Sequence, residues 1–351
     1  MFRIDRATAP LAVADVSRHM QDMGFDDPAP PAALADFDWP MFGLIDDVRP
    51  ALAEARAHGR AVALATLFAV EGGAPRGVGA QMLIDAAGGA AGFLSGGCVE
   101  GDVALHARAV LEDNQPRRLV YGEGGPVDIA LPCGNRIEVL VERIAPDDPA
   151  VARLLALADR RTPALWRSDG VDRFCDADGE AEPDSGVAVV RRRFTPPIRA
   201  IVVGADPAAL AAAKLLSETG VATTLVRPKG PETAPPFPLA AYLREEAADA
   251  IAALRPDAWT AVCVMTHDLA VEQAATAAAL SSQAGYVGVL GSRRRAPERE
   301  SRLRAAGFEA ADLDRLHAPI GLPIGGKAPW DIAIAVVAEV VQRLGAPADP
   351  A

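Results

Sequence analysis

The chain has 351 residues, half of them hydrophobic, and 47 acidic against 35 basic side chains give a formal net charge of −12. This length allows two or three domains with a sizeable core. Because nucleic acids and anionic membranes both select a basic surface, we expect neither nucleic-acid binding nor membrane insertion.

The four cysteines lie far apart in the sequence and form no Cys-x-x-Cys pair. This distribution is typical of a reduced intracellular protein, not of a disulfide framework or a zinc ribbon. No apolar run reaches membrane-spanning length, and no secretory signal pattern is found at the N-terminus. We therefore expect a cytoplasmic protein.

Residues 1–44 are rich in Pro, Ala and Asp and are predicted to form an N-terminal extension. Residues 45–145 are predicted to form the first domain, of mixed α/β type. Its apolar and alternating stretches indicate a helix after Ile45, strands at 60–70, 81–85 and 92–95, a helix over 103–111, and strands at 117–121 and 136–142. The apolar stripe expected on the second helix consists of Val103, Leu105, Ala107, Val110 and Leu111.

A glycine-rich loop with one cation follows the first strand. Residues 71–80 contain four glycines and Arg76. Exposed backbone amides and a guanidinium suit phosphate or carboxylate, which makes Arg76, Gly77 and Gly79 candidate anion-binding residues. The alternative is a plain hairpin connection.

Residues 92–102 place one thiol, Cys98, behind two glycines and beside two carboxylates. Glycines allow tight turns and close approach of the backbone to a ligand. The pattern is compatible with a loop in which the thiol of Cys98 meets a bound ligand. The alternative is that Cys98 is a small buried hydrophobic residue.

A second thiol, Cys133, occupies a similar glycine-flanked turn before a strand. Soft thiolates suit soft metals or sulfur transfer, whereas two cysteines without histidine partners make a weak zinc site. Cys98 and Cys133 together are more suggestive of chemistry than either thiol alone.

Residues 146–197 are interpreted as a connecting region with a helix at 150–159, strands at 164–167 and 187–194, and a solvated acidic turn at 176–182. Residues 198–351 are predicted to form a second domain with a Rossmann-like, doubly wound parallel sheet. The order strand 199–203, helix 207–219, strand 221–226 is the βαβ pattern on which this prediction rests.

The turn after the first of these strands departs from a dinucleotide fingerprint. Asp206 and Ala209 replace its second and third glycines, and Asp206-Pro207 is a strong pair of N-cap and first helical residue. The Asp206 carboxylate would repel a pyrophosphate and so disfavours NAD(P). Arg227, after the next strand, would favour a 2′-phosphate if Asp206 moved aside.

Polar residues also follow the later strands, and ligands bind at the carboxyl ends of strands in open α/β sheets. His267 ends the strand that begins at 259, and Ser292, Arg293 and Arg294 follow the strand that begins at 286. The arginines also fit the start of a helix with surface ion pairs. His317 opens a glycine-rich segment that leads to a helix from Pro329. The predicted core face of that helix consists of Ala333, Val336, Val337, Val340, Val341 and Leu344.

Several of these segments jointly resemble the XdhC/CoxI family, accessory proteins that mature molybdenum hydroxylases such as xanthine dehydrogenase. They are residues 75–76, 79–80, 95–102, 133–134, 265–268, 286–295, 317–321 and 324–325. The resemblance spans residues 45–345. It implies a cysteine-bearing domain followed by a Rossmann-like domain.

The resemblance also implies the function of a cofactor-binding chaperone more than that of a turnover enzyme. Such a protein binds molybdenum cofactor, assists its sulfuration by a cysteine desulfurase and inserts it into the apo-hydroxylase. Cys98 and Cys133 are then expected to relay sulfur or contact molybdenum, with Cys98 as the metal contact. The other expected cofactor-binding residues are Arg76, Gly77, Gly79, Gly96, Gly97, Glu100, His267, Ser292, Arg293, Arg294 and His317.

The sequence departs from the family pattern at Asp206, at Arg227 and at Gln81, where a basic residue is usual. We expect a homodimer, with residues 331–344 and the N-terminal extension as candidate surfaces. Two alternatives remain: an NAD(P)-dependent oxidoreductase that uses the second domain, and a scaffold whose cysteines are merely buried.

Overall fold

The computed structural model describes residues 41–123, 125, 136–179 and 189–345. Contacts between Cα atoms divide the chain into two compact units, Met1–Asp148 and Pro149–Ala351. Of the predicted N-terminal extension, only Met41–Leu44 is described, as a turn of 3-10 helix. The rest of that prediction lies outside the described residues.

The first unit is built on an antiparallel sheet with the strand order β3-β2-β1-β5-β4. Its elements are α1 (Arg49–Ala57), β1 (Val62–Glu71), β2 (Gln81–Asp85), β3 (Ala90–Gly92), α2 (Glu100–Asp113), β4 (Arg117–Tyr121) and β5 (Arg136–Ile144). Helix α2 packs on β1 and β5 at the centre of the sheet. The apolar strand predicted first along the chain is therefore the central one.

Two local predictions for this unit were wrong. The strand expected at 92–95 lies earlier, at Ala90–Gly92. Gly92 has φ +96°, a value that side chains disfavour, so the strand ends there and the chain turns away. On α2, Leu105 is 52% exposed, because the buried face follows Val103, Ala107 and Val110 at a stricter helical spacing.

The second unit begins with α3 (Pro149–Asp159) and a three-stranded antiparallel sheet in the order β7-β6-β8. Its strands are β6 (Ala164–Ser168), β7 (Arg173–Ala177) and β8 (Val190–Phe194). Strand β7 was not predicted. It includes Asp176, which therefore pairs within a sheet opposite Leu165 and does not belong to a solvated turn.

A six-stranded sheet with the order β11-β10-β9-β12-β13-β14 forms the rest of this unit, and all its neighbouring strands are parallel. The strands are β9 (Arg199–Gly204), β10 (Ala222–Val226), β11 (Ala241–Leu243), β12 (Thr260–Met265), β13 (Tyr286–Val289) and β14 (Leu316–His317). The helices are α4 (Pro207–Glu218), α5 (Ala247–Leu254), α6 (Leu269–Ser281), α7 (Ala296–Ala305), α8 (Ala310–Leu313) and α9 (Pro329–Leu344).

Alternate residues of the central strands face opposite layers of helices. Ala200, Val202 and Cys263 join one core cluster with α4 and α9, whereas Ile201 and Val262 join another with α5 and α6. Helices therefore cover both faces of a parallel sheet. The predicted fold class, a mixed α/β part followed by a Rossmann-like doubly wound sheet, is confirmed.

Helix α9 corrects one more prediction. Ala333, Val336 and Val340 are fully buried as expected, but Val341 is 50% exposed on the other side of the helix. Among the described residues, none of the helices combines the length and apolar character that a bilayer-crossing segment needs.

Candidate functional site

Cys98 lies at the tip of the loop that joins β3 to α2, in the first unit. The loop is fixed at both ends by Leu94 and Val99, whose side chains are completely buried, while residues 96–98 are exposed. Gly97 has φ +98°, a conformation that requires glycine and turns the chain back toward the helix. The predicted accessible thiol is therefore present at position 98, and the alternative of a buried Cys98 is wrong.

Glu100, by contrast, is not exposed to a ligand. Its side chain is 1% exposed, and its carboxylate accepts hydrogen bonds from the loop itself, including the backbone N–H of Ser95 at 2.7 Å. The prediction that Glu100 contacts a cofactor is corrected for this reason: both of its oxygens are taken up by the loop.

A polar cluster that the sequence did not reveal lies on α2 beyond the loop. The hydroxyl of buried Tyr121 donates to Asp102 Oδ2 at 2.6 Å, and His106 Nε2 lies 3.6 Å from the same oxygen. Burial, and then the hydrogen bond to Asp102, raise the pKa of Tyr121 far above its usual range. The sequence contained one sign of this cluster: Asp102 and His106 are four residues apart, which places them on the same face of a helix.

The glycine loop at 71–80 lies beside the cysteine loop. A side chain at Gly96 would place its Cβ 3.7 Å from Cγ of Pro75. Arg76 pairs with Asp46, so its charge is partly compensated. Gly77 is exposed, whereas Gly79 is buried and its N–H donates to the carbonyl of Leu67 at 2.8 Å. The Gly79 amide is therefore not available to a ligand.

The other cysteines differ in status. Cys133 lies outside the described residues. Cys175 and Cys263 are buried, and burial raises the pKa of each thiol to about 12. Within the described residues, Cys98 is thus the exposed thiol. No three His, Cys, Asp or Glu side chains of this part of the chain converge in a way that would hold a metal ion.

In the second unit, three predicted residues follow the carboxyl ends of neighbouring strands. Strands β9, β12 and β13 are paired in register, and Asp206, His267 and Ser292 lie two or three residues beyond their ends. Asp206 Oδ1 accepts from the N–H of Ala209 at 2.8 Å, and His267 Nε2 lies 3.2 Å from Asp206 Oδ2. The predicted N-cap is confirmed, and the carboxylate is held where a dinucleotide phosphate would meet the helix.

The remaining predicted residues of this unit fall into two groups. Ser292 caps a short 3-10 turn by accepting from the N–H of Arg294, and the Arg293 and Arg294 side chains are exposed. His317 is not free: its Nδ1 lies 3.2 Å from Glu339 Oε1, and its ring stacks on Tyr286 at 4.6 Å between centroids.

The Glu339 carboxylate joins that group into a buried network. It also accepts from the Tyr286 hydroxyl at 2.6 Å and from the N–H of Gly321 at 2.7 Å. Burial lowers the pKa of His317, and Glu339 opposes this effect. The network explains why His317 is tied to the sheet edge instead of facing a ligand.

A cleft of about 440 Å³ separates α6 from α7 and contains none of the predicted site residues. It is lined by Glu272, Thr276, Arg299 and Leu303, among others. Beneath it, Arg299 Nε donates to Glu272 Oε1 at 3.0 Å in a buried ion pair.

Comparison with known proteins matches residues 55–122 to the model of the XdhC and CoxI family, and residues 200–340 to the XdhC Rossmann domain. The Escherichia coli protein named molybdenum cofactor insertion chaperone PaoD is 30% identical over 301 residues, 85% of this chain and 89% of the relative. The chain belongs to the XdhC and CoxI family.

Another relative is a Bacillus subtilis protein named as a probable xanthine dehydrogenase subunit. It is 26% identical over 319 residues, with 80% of this chain and 92% of the relative covered. A crystal structure of a protein named a xanthine dehydrogenase, from Bacillus halodurans, shares the fold. Its TM-score is 0.68 at 24% identity, over 84% of this chain and 95% of that one.

The two matched segments contain the candidate residues of the first unit and those of the second unit. The segment 55–122 contains the loops of Arg76 and Cys98, and the segment 200–340 contains Asp206, His267 and His317. Cys133 falls between the two segments.

Proposed function

We propose that this XdhC-type protein is a maturation factor that binds molybdenum cofactor and inserts it into a molybdenum hydroxylase of the xanthine dehydrogenase or CO dehydrogenase type. The observation that carries the proposal is the exposed thiol of Cys98 on a loop whose tip, residues 96–98, is exposed as a whole. It is supported by 30% identity to a protein named as a molybdenum cofactor insertion chaperone.

The residues of the first unit fit such a cofactor. When bound, it supplies a soft metal–sulfur group, a phosphate and a flat pterin with hydrogen-bonding edges. The Cys98 thiolate is a soft ligand suited to the metal or its sulfur. Arg76 and the exposed Gly77 in the adjoining loop can meet the phosphate.

We further propose that a cysteine desulfurase delivers sulfur to the cofactor while this protein holds it, with Cys98 and Cys133 as the thiols involved. In this function the chain acts as a chaperone without turnover of its own. The apo-hydroxylase and the desulfurase are its protein partners, and the cytoplasm is its proposed location.

A homodimer is proposed from the outer face of α9. Trp330, Ile334 and Val341 lie on one side of this helix and are 51%, 51% and 50% exposed. An aromatic residue beside aliphatic ones is typical of interface centres. Sedimentation velocity at micromolar concentration should give a dimer, and W330E should give a monomer; a monomeric wild type would refute the proposal.

Cofactor retention tests the main proposal. The protein is produced in cells that make molybdenum cofactor, purified, oxidised and assayed for pterin fluorescence and for released nucleotide. We expect pterin in the wild type, about 10- to 100-fold less in C98S, and wild-type amounts in C175S, which changes a buried cysteine. A C98S variant that retains its cofactor and fully activates the hydroxylase would exclude Cys98.

The strand order of the second unit favours one rival, an NAD(P)-dependent oxidoreductase. The same preparation separates the two functions. Released NAD(P) without pterin, together with a hydride-transfer activity, would favour the rival and overturn the chaperone.

A further inference from the structure

The loop that carries Cys98 is organised around one buried carboxylate. Glu100 Oε1 accepts from the N–H of Leu94 at 3.1 Å and of Ser95 at 2.7 Å, and Oε2 accepts from the N–H of Val99 at 3.3 Å. The Ser95 hydroxyl lies 2.9 Å from Oε2. A carboxylate accepts without donating, so it can satisfy all of these donors at once.

These bonds divide the backbone amides of the loop into two sets. The amides of Leu94, Ser95 and Val99 point inward to Glu100. The N–H groups of Gly96, Gly97 and Cys98 make no hydrogen bond to any described residue, and all three residues are exposed. These three amides, called the free amides because they have no partner among the described residues, therefore belong to the exposed tip of the loop that carries the thiol.

We infer that Glu100 is a positioning residue for this site: by binding the inner amides it holds the thiol of Cys98 and the free amides of residues 96–98 outward, toward an anionic group of the ligand. The inference rests on the proposed function only in taking the cofactor as that ligand. A glutamine at position 100 would turn an N–H₂ donor toward backbone donors, which the loop cannot satisfy without rearranging.

The arrangement excludes two other roles for Glu100. With its side chain 1% exposed it does not touch a ligand, and its partners lie within six residues, so it does not join distant elements of the fold. Its effect is confined to the loop.

The test compares two alkylating reagents of similar size, anionic iodoacetate and neutral iodoacetamide, on the full chain. Their rates at Cys98 are read by peptide mass spectrometry, and the ratio of the two rates cancels any change in thiolate fraction. In E100Q we expect the iodoacetate-to-iodoacetamide ratio to fall at least about threefold, because the amides that favour the anion are no longer held. If the carboxylate acts only by its charge, the ratio rises, and an unchanged or higher ratio overturns the inference.

Two controls separate positioning from loss of the fold. Slow hydrogen exchange of the paired amides of β1 and β5 reports an intact first unit in E100Q, and slow alkylation of buried Cys175 and Cys263 reports an intact second unit. E272Q removes a buried carboxylate of the second unit, and the Cys98 ratio should not change in it. A similar fall in E272Q would overturn the inference.

Hydrogen exchange on the wild type keeps the inference testable if E100Q does not fold. The amides of Leu94, Ser95 and Val99 should exchange more than about tenfold slower than those of Gly96, Gly97 and Cys98. Equal, fast exchange of all six would overturn it.

Cofactor retention then distinguishes this inference from the proposed function. We expect E100Q to retain about 10- to 100-fold less cofactor than the wild type. If the alkylation ratio falls but the wild type itself carries no cofactor, Glu100 is still the positioning residue of the thiol loop and the proposed function is wrong.

Discussion

Neutralising Glu272 should destabilise the second unit strongly. The Glu272 side chain is 5% exposed, and its carboxylate accepts from Arg299 Nε at 3.0 Å. The other hydrogen bond of that guanidinium is a long one, 3.5 Å, to the carbonyl of Leu290. E272Q therefore leaves a buried charge with little compensation. Breaking such a pair costs about 3–5 kcal/mol, and the retained amide oxygen favours a value of about 3 kcal/mol.

Urea unfolding followed by tryptophan fluorescence measures this loss. Trp166, Trp259 and Trp330, three of the four tryptophans, lie in the second unit and report on it. For a large unit, the free energy of unfolding falls by about 3 kcal/mol per molar urea. A loss of about 3 kcal/mol should therefore lower the unfolding midpoint of E272Q by about 1 M.

The matched control is E300Q, which breaks a pair with Arg304 in which both side chains are 51% exposed. Its midpoint should shift by less than about 0.2 M, because exposed pairs contribute little. The double variant E272Q/R299M removes both buried charges and should regain at least half of the loss. A shift below about 0.3 M in E272Q, or additive losses in the double variant, would refute the reasoning.

Three further results are expected. Iodoacetamide at pH 8.5 should modify Cys98 at least about 100-fold faster than Cys175 or Cys263, whose pKa of about 12 and burial both suppress the thiolate; comparable rates by peptide mass spectrometry would contradict this. D206A should lower the free energy of unfolding by about 1 kcal/mol through loss of the N-cap, and a value near zero in urea titration would speak against it. Because burial lowers the folded-state pKa of His317, the unfolded chain binds the proton first as pH falls below about 6.5, so stability declines there. H317Q should reduce this decline between pH 7.5 and 5.5, and an unchanged pH dependence would exclude His317 as its source.

Much of the fold was predictable because local patterns agreed with it. Strands β2 (Gln81–Asp85) and β4 (Arg117–Tyr121) have the predicted limits, and Asp206 caps its helix as predicted. In each case the signal is contained within a few neighbouring residues, such as a glycine turn beside an alternating strand, or Asp before Pro.

The errors have a common physical origin in tertiary packing. Leu105 and Val341 are apolar residues near the edge of a helical stripe, and the direction of the packed face decides which edge is buried. Strand β7 (Arg173–Ala177) includes Asp176, which looks solvated until the sheet pairing is known.

The exposed thiol and glycines of the candidate site could be predicted from the sequence, whereas the buried side-chain contacts beneath them could not. Cys98 and its glycines carry a local signal, whereas the role of Glu100 depends on its burial, which the sequence does not display. The contact of His267 with Asp206 joins residues far apart in the chain and had no local sign. Sequence reasoning thus located the exposed thiol but not the buried contacts of Glu100 or the pairing of His267 with Asp206.

The N-cap formed by Asp206 also bears on whether this Rossmann-like sheet can bind a nucleotide phosphate. Any phosphate that reached the amide of Ala209 would have to displace the side chain already bonded to it. Giving up that bond alone, at about 1 kcal/mol, weakens binding about fivefold before charge repulsion is counted. In this chain, a dinucleotide would therefore compete with Asp206 for the amide of Ala209, although the strand order is that of a nucleotide-binding fold.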